Sequence, residues 1–199
     1  PVLKHYKGVC HIFVDKSADL ARAVDIIANA KAQRPGTCNS LECLLVHQDV
    51  AQTFLPAVAS ALAAKGVDFR CCPASLPLMG SSATAAQESD WGHEFLALTL
   101  AVKVVSGQDE AQDHIALYGS NHTDCILTTN HAAAMRFTRE VDASMVGVNC
   151  STRLNDGGEL GLGAEIGIST SKLHAYGPMG LKELTSAKFV ALGQGQIRQ

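Results

Sequence analysis

The stretch "VCHIFVDKSADLARAVDIIANAKAQ", residues 9–33, indicates the fold class. It opens with an apolar run that has β-branched and aromatic members, which is typical of a strand covered on both faces. The following residues repeat apolar side chains at helical spacing, and Ser17 is placed to cap that helix. We predict that the helix ends near Gln33, because Pro35 disfavours the helical conformation at the residue before it.

The same alternation of strand and helix continues along the chain. After a less regular stretch at 73–95, it resumes and runs to residue 150. The predicted strands are 9–14, 43–47, 67–72, 98–105, 124–129 and 145–150, and the predicted helices are 17–33, 49–66, 108–118 and 131–141. This order favours an α/β fold of three layers, αβα, with a mainly parallel sheet and helices on both faces.

Composition excludes several classes of protein. The chain has 199 residues, of which 47% are hydrophobic and 18% are charged, and this is enough to bury a globular core. The net charge is −3 and the basic residues are scattered, which argues against a nucleic-acid partner. No apolar run approaches the roughly 20 residues that cross a bilayer, so we expect no membrane partner and a cytoplasmic location.

The seven cysteines are predicted to be reduced thiols. Their number is odd, and a chain of this size and apolarity does not need disulfides. No Cys-x-x-Cys pair occurs, so no metal site is predicted, although His47 and His93 can in principle join one in space. His11 lies inside a predicted buried strand and is interpreted as structural.

Cys38 lies in the turn-forming stretch "QRPGTCNSLE", residues 33–42. Gly36 allows close approach of a ligand, and nearby backbone N–H groups with the Asn39 amide suit an oxyanion. This layout fits a covalent nucleophile in a cleft at the carboxyl ends of the strands, and it predicts that Cys38 is the most reactive thiol. A small, half-buried hydrophobe is the alternative, which spacing alone favours.

The segment around Cys38, "NAKAQRPGTCNSLECLLVH" at 29–47, and three other stretches carry a family resemblance. The other three are "GVCHIFVD" at 8–15, "YGSNHTDCILT" at 118–128 and "STRLNDGGELGLGAEIGISTSKLHAYGPMGLKELTS" at 151–186. Together they resemble the γ-glutamyl phosphate reductases, or glutamate-5-semialdehyde dehydrogenases, of the aldehyde dehydrogenase superfamily. The resemblance implies NADPH-dependent reduction of L-glutamate 5-phosphate to glutamate 5-semialdehyde in proline biosynthesis, with phosphate release through a cysteine thioester.

The resemblance also implies roles for particular residues. Cys38 and Asn39 are expected to be catalytic. Glu94, in "HEFLAL", matches the superfamily's glutamate that holds the nicotinamide ribose, although an ordinary exposed acid is the alternative.

The loop after the last predicted strand holds the expected substrate-binding residues. Arg153 suits a carboxylate or phosphate, and a surface ion pair with Asp156 is equally consistent with the sequence. Ser151 and Thr152 are expected to add hydrogen bonds to the substrate, but loop capping is the commoner use of such residues.

The resemblance sets the expected domains. Residues 1–176 are expected to form the catalytic domain, and 177–199 a helix and an oligomerisation strand, with an edge strand at 186–197. The resemblance also implies that the nucleotide-binding domain, which the family carries in its N-terminal half, is not part of these 199 residues. "GLGAEIG", 161–167, lacks the third glycine of a dinucleotide fingerprint and is not expected to bind phosphate.

The implied partners are glutamyl phosphate, glutamate 5-kinase and further copies of the chain. Tyr176 replaces the family's usual arginine in "KLHARGP", which puts any role of that arginine in doubt. Two other functions remain open, a non-catalytic assembly module and a cysteine hydrolase. The hydrolase needs a base, and no histidine in the sequence is obviously tied to Cys38.

Overall fold

The computed structural model describes residues 6–198. The strands of the main sheet are β1 (Cys10–Val14), β2 (Leu41–His47), β3 (Asp68–Cys71), β4 (Ala83–Ala85), β5 (Thr99–Val105), β6 (Thr123–Leu127) and β7 (Met145–Val148). They lie in the order β4-β3-β5-β2-β1-β6-β7, and every neighbouring pair is parallel.

Four helices cover the sheet: α1 (Leu20–Ala32), α2 (Gln48–Ala63), α3 (Gln108–Tyr118) and α4 (His131–Glu140). Helices α1 and α2 pack on the face that carries Ile12 and Leu44, and α3 and α4 pack on the opposite face with Phe13 and Leu45. Because side chains alternate along a strand, the central strands are buried on both sides. The predicted three-layer αβα fold with a parallel sheet is confirmed.

The start of α1 differs from the prediction. Asp19, rather than Ser17, is the N-cap, and its side chain accepts a hydrogen bond from the backbone N–H of Arg22. The Ser17 hydroxyl instead donates to Asp15 Oδ2 at 2.6 Å, beyond the end of β1. The predicted end of the helix is confirmed, since α1 stops at Ala32.

Among residues 177–198 the structure shows neither the predicted helix nor the edge strand predicted at 186–197. Residues 177–179 form β9, which pairs antiparallel with β8 (Gly167–Ser169), so the boundary at 176 falls between two paired strands. Residues 181–184 form only a turn, and 186–197 are irregular and exposed. A strand needs backbone partners, and among residues 6–198 no strand lies beside this segment. Its role in oligomerisation stays a prediction.

No helix in the described part of the chain is long and apolar enough to cross a membrane.

A buried ion pair joins the end of α1 to the start of β2. Lys31 Nζ lies 2.7 Å from Glu42 Oε2, and both side chains are almost fully buried. Burial raises the pKa of Glu42 to about 7 although Lys31 opposes the rise, and burial lowers the pKa of Lys31. Glu42 Oε1 also accepts from the backbone N–H of Leu96, so one carboxylate holds three segments together.

We predict that Lys31→Met lowers the free energy of unfolding by about 3–5 kcal/mol, because it leaves a buried carboxylate without its partner. The double variant Lys31→Met/Glu42→Gln should recover most of the loss, because it leaves no unpaired charge. Urea unfolding of the three proteins measures both changes.

Arg22→Met is the matched control on the same helix, since Arg22 and Asp19 form an exposed pair. It should change stability by less than about 1 kcal/mol. A loss for Lys31→Met as small as that of the control would contradict the structural role of the buried pair.

Candidate active site

Cys38 lies in the loop that joins α1 to β2, and its side chain is half-buried. The Thr37 hydroxyl donates to the carbonyl of Arg34 at 2.8 Å, and the N–H of Ser40 donates to the carbonyl of Thr37 at 3.0 Å. These two bonds close a tight turn at residues 34–40, where the sequence predicted one. This turn, which carries Cys38, is called the corner. The turn leaves the Cys38 side chain partly open to solvent.

The site lies at the amino edge of the sheet, so the prediction of a cleft at the carboxyl ends is wrong. The reason is topological, because the loop that carries Cys38 precedes its strand. The loop that carries Arg153 follows β7, but the chain then runs back alongside β6 from the carboxyl edge of the sheet to its amino edge. Asn149 Oδ1 accepts from the N–H of Thr128 beyond the carboxyl end of β6, and Asn155 Nδ2 donates to the carbonyl of His122 before its amino end.

The chain before β1 passes very close to the corner. A Cβ placed on Gly8 would lie 1.9 Å from the carbonyl oxygen of Cys38, so only glycine fits this approach. The thiol of Cys10 donates to the same carbonyl at 3.2 Å. The loop that carries Cys38 is therefore fixed from behind by the entrance to β1.

Glu94 is half-buried and lies in the loop before β5. Its Oε1 accepts from the backbone N–H of Gly8 at 2.8 Å. The carboxylate thus anchors the entrance to β1 and also acts electrostatically on the thiol of Cys38. It is not the ordinary exposed acid of the alternative interpretation, and its expected contact with a cofactor stays a prediction.

The structure does not support Asn39 as a side-chain donor to an oxyanion. Asn39 is 2% exposed, and its Nδ2 donates to the backbone carbonyls of Asn155 at 3.0 Å and Arg153 at 3.5 Å. Its side chain therefore joins two loops. In the described part of the chain, the backbone N–H groups of Cys38 and Asn39 donate to no other residue, so their expected contact with an oxyanion stays a prediction.

Arg153 lies beside the corner and is half-exposed. Its Nε donates to Gln33 Oε1 at 2.9 Å and its Nη1 donates to Asn39 Oδ1. Among residues 6–198 it makes no ion pair, so the alternative pairing with Asp156 is wrong. A guanidinium held only by neutral amides retains an uncompensated charge, which suits an anionic ligand.

The two residues before Arg153 serve its loop. The Ser151 hydroxyl accepts from the N–H of Arg153 at 3.3 Å and caps a single 3₁₀ turn at Thr152–Leu154. Thr152 is fully buried, so a ligand at the surface cannot reach its hydroxyl in this conformation. Its expected contact with substrate is therefore not supported, whereas that of Ser151 stays a prediction.

The surroundings of Cys38 disfavour its thiolate. Burial, followed by the charges of Glu165 and Glu94, raises its pKa to about 11, and Arg153 opposes the rise only weakly. Cys150 differs, because a hydrogen bond from Cys125 lowers its pKa to about 7 while its side chain is also half-buried. Near neutral pH these surroundings favour the thiolate at Cys150 over that at Cys38, and the prediction that Cys38 is the most reactive thiol stays a prediction.

Sequence reasoning missed several residues that shape the site. Gly8, Cys10 and Asn155 are separated from Cys38 by long stretches of chain, and Glu165 lies in the glycine-rich stretch 161–167. Only Gly8 carried a signal, as a glycine directly before a buried strand. The stretch 161–167 leads into β8 and not into a helix, so the prediction that it is not a phosphate loop is consistent with the structure.

Tyr176 lies in the loop before β9. Its hydroxyl lies 3.4 Å from the carbonyl of Asn121 and 3.4 Å from Asp142 Oδ1, and Lys172 lies over its ring. The side chain therefore packs the loop before β9 against the loops that precede β6 and β7.

No protein-family model matches the sequence. Over 198 residues, all of this chain, it is 69% identical to a protein named gamma-glutamyl phosphate reductase from Solidesulfovibrio magneticus, of which it covers 47%. The crystal structure of gamma-glutamyl phosphate reductase from Thermotoga maritima matches with a TM-score of 0.92 and 51% identity, over 100% of this chain and 48% of that one. The resemblance found in the sequence is confirmed, and the chain spans about half the length of the curated relatives it matches.

A more distant likeness concerns the fold alone. The crystal structure of an acetylating aldehyde dehydrogenase from Geobacillus thermoglucosidasius matches with a TM-score of 0.73 at 18% identity, over 100% of this chain and 53% of that one. The fold is therefore like that of the aldehyde dehydrogenases, as the sequence predicted.

We predict that iodoacetamide modifies Cys150 faster than Cys38 near neutral pH, because the thiolate is the reactive form. The rate at Cys38 should rise with pH up to its pKa of about 11. Glu94→Gln should speed the reaction at Cys38, since it removes a charge that disfavours the thiolate. Peptide mapping by mass spectrometry at several pH values measures the rates.

Glu159→Gln is a suitable control, because Glu159 is not among the groups that shift the pKa of Cys38. Preferential modification of Cys38 near neutral pH would contradict the protonated thiol.

Proposed function

We propose that this chain forms the cysteine-bearing part of an enzyme that reduces L-glutamate 5-phosphate to L-glutamate 5-semialdehyde with NADPH, releasing phosphate. The observation that carries the proposal is the identity of 69% along the whole chain to a protein named for this activity. The half-buried Cys38 on its fixed corner supports it from the geometry. The activity belongs to proline biosynthesis.

Cys38 is the proposed nucleophile. Its thiolate attacks the acyl carbon of the substrate, an S–C bond forms, and the C–O bond to phosphate breaks, so phosphate leaves with the bonding electrons. A thioester suits the next step because it accepts hydride more readily than a carboxylate does. When the product leaves, the C–S bond breaks and its electrons return to the sulfur of Cys38.

The corner supplies two further functions. The free backbone N–H groups of Cys38 and Asn39 are the proposed donors to the oxygen that gains negative charge during attack. Because the thiol starts protonated, its proton must move to a base, and the carboxylates of Glu94 and Glu165 are the acidic groups whose charges act on it.

Arg153 is the proposed anchor for an anionic group of the substrate, with Ser151 beside it. Its charge has no carboxylate partner in the described part of the chain, and it already touches the Asn39 that follows the nucleophile. A fork of N–H donors binds phosphate or carboxylate through two bonds at once, which fixes the direction of the substrate.

A bound nicotinamide cofactor would supply the hydride. Glu94 is suited to bind the nicotinamide ribose of that cofactor. Its Oε1 accepts a hydrogen bond from Gly8, whereas its Oε2 accepts none among residues 6–198. One ribose contact contributes only a small part of the binding energy of a dinucleotide. We propose that the remaining contacts come from the other half of the length of the relatives.

In an enzyme that includes this chain, we predict that Arg153→Ala lowers kcat/KM for the acyl phosphate by about 10- to 100-fold, the effect of losing one charge-assisted contact. Arg153→Lys should recover only part of the loss, because an ammonium does not form the same fork. Arg22→Ala is the matched control, since Arg22 is exposed and pairs with Asp19 on the outer side of α1. Unchanged kinetics for Arg153→Ala would contradict the anchor.

We also predict that the 199-residue chain alone folds but does not bind NADPH measurably, whereas a protein with the full length of its relatives binds it and reduces the substrate. Calorimetric titration of both proteins tests this difference. Cys38→Ala in the longer protein should abolish reduction and keep cofactor binding. Reduction that survives Cys38→Ala, or hydrolysis of the acyl phosphate without a cofactor, would contradict the proposed reductase.

A further inference from the structure

Three metal-binding side chains meet in the interior, on the side of the sheet away from α1. They are His11 on β1, Cys43 on β2 and His114 on α3, and their ligand atoms all lie within 4.8 Å of one another. The register of the sheet pairs His11 with Cys43, so both side chains project from the same face toward α3. All three side chains are at most 3% exposed.

The spacing of the donor atoms suits a tetrahedral ion. Cys43 Sγ and His114 Nε2 are 3.5 Å apart. A Zn²⁺ ion bound at about 2.3 Å to sulfur and about 2.0 Å to nitrogen separates two such ligands by about 3.6 Å. Cys43 and His114 therefore need almost no movement to bind one ion, and the His11 donor lies within 4.8 Å of both.

The remaining contacts of His11 favour the same conclusion. Its Nδ1 lies 3.1 Å from Asp124 Oδ1, which favours a proton on that nitrogen. Against the effect of burial, Cys43 and Asp124 raise the pKa of His11 to about 10, so Nε2 becomes an electron-pair donor when the ring loses its second proton. Nε2 is buried and has no hydrogen-bond partner in the described part of the chain. A carboxylate that orients a histidine from behind is the usual support of a zinc ligand.

We propose that His11, Cys43 and His114 form a binding site for a soft divalent cation, Zn²⁺ in particular, with Asp124 orienting His11. Thiolate and imidazole are the donors that this ion prefers over Mg²⁺ or Ca²⁺. Binding releases to solvent one proton from the pair of Cys43 and His11, so that a thiolate and a neutral imidazole bind the ion. The ion ties two central strands to α3, and a fourth coordination position is left for a small ligand such as water. This site goes beyond the proposed function and does not depend on it.

One neighbour opposes binding and makes the proposal more specific. Lys103 Nζ lies 3.4 Å from His114 Nδ1. An ammonium can only donate a hydrogen bond, so this contact needs a lone pair on Nδ1. A metal ion on Nε2 instead requires a proton on Nδ1. Lys103 is partly exposed and lies 3.7 Å from Glu110 Oε1, so it can turn to that carboxylate when the ion binds.

No local sequence pattern indicates this site. The three ligands come from separate elements and form no spaced motif, and the structure places neither His47 nor His93 with them. Only the strand register and the packing of α3 bring the donors together.

The test is titration of the chelator-treated chain with Co²⁺, followed by displacement with Zn²⁺. We expect one bound Co²⁺ with visible bands of tetrahedral geometry and a thiolate charge-transfer band in the near ultraviolet, both lost when Zn²⁺ is added. Cys43→Ser should lose the charge-transfer band, whereas Cys71→Ser, a change at another buried cysteine, should keep it. Lys103→Gln should tighten binding, because a glutamine oxygen accepts the proton that His114 must then carry.

Melting in chelator, with circular dichroism, establishes that each variant folds. Zn²⁺ should raise the melting temperature of the unmodified chain and of Cys71→Ser but not of Cys43→Ser. A folded chain that binds no Co²⁺, or a charge-transfer band that survives Cys43→Ser, would overturn the proposal. A thiolate absorbance that depends on Cys43 but does not change when metal is removed by a chelator would also overturn it. That result would show that Cys43 forms an ion pair with His11 and binds no metal.

Discussion

The position of the candidate nucleophile depends on the buried contact between Lys31 and Glu42. This ion pair fixes where α1 ends relative to the start of β2, and those two points are the ends of the loop that carries Cys38. Burying two charges is unfavourable unless both are well paired, so the contact strongly restricts alternative arrangements of the loop. The additional bond from Leu96 to Glu42 brings the segment before β5, and with it Glu94, to the same edge.

The corner is held at several points, yet its thiol is not activated. Gly8 and Cys10 fix the carbonyl of Cys38, and Arg153 with Asn39 joins the loop to the segment that returns along β6. The same packing that fixes the loop removes water from the sulfur and raises its pKa. In this chain the structure therefore supplies position, while formation of the thiolate requires a change in the surrounding charges, such as the approach of a ligand or protonation of a nearby acid.

Local sequence patterns predicted the sheet well and the site only in part. Buried strands are marked by apolar runs and helix ends by proline, so the layers, the parallel sheet and the end of α1 followed from short stretches. Ser17 contacts Thr128 and Asn39 joins its loop to Asn155, so the roles of these two side chains depend on partners more than 100 residues away in the sequence. Arg153 lies at the amino edge of the sheet because the chain reverses direction after β7, and no local sequence pattern encodes that reversal.

The two buried polar groups on β2 explain why its register matters. Glu42 points toward α1 and Cys43 points toward α3, because successive side chains of a strand face opposite sides of the sheet. A shift of one residue would turn Glu42 away from Lys31 and Cys43 away from His11 and His114, leaving buried charge and buried donors without partners. The apolar neighbours Leu44 and Leu45 are nearly interchangeable under such a shift, since both faces are covered. The polar residues, rather than the apolar ones, therefore specify the alignment of this strand and with it the placement of the corner.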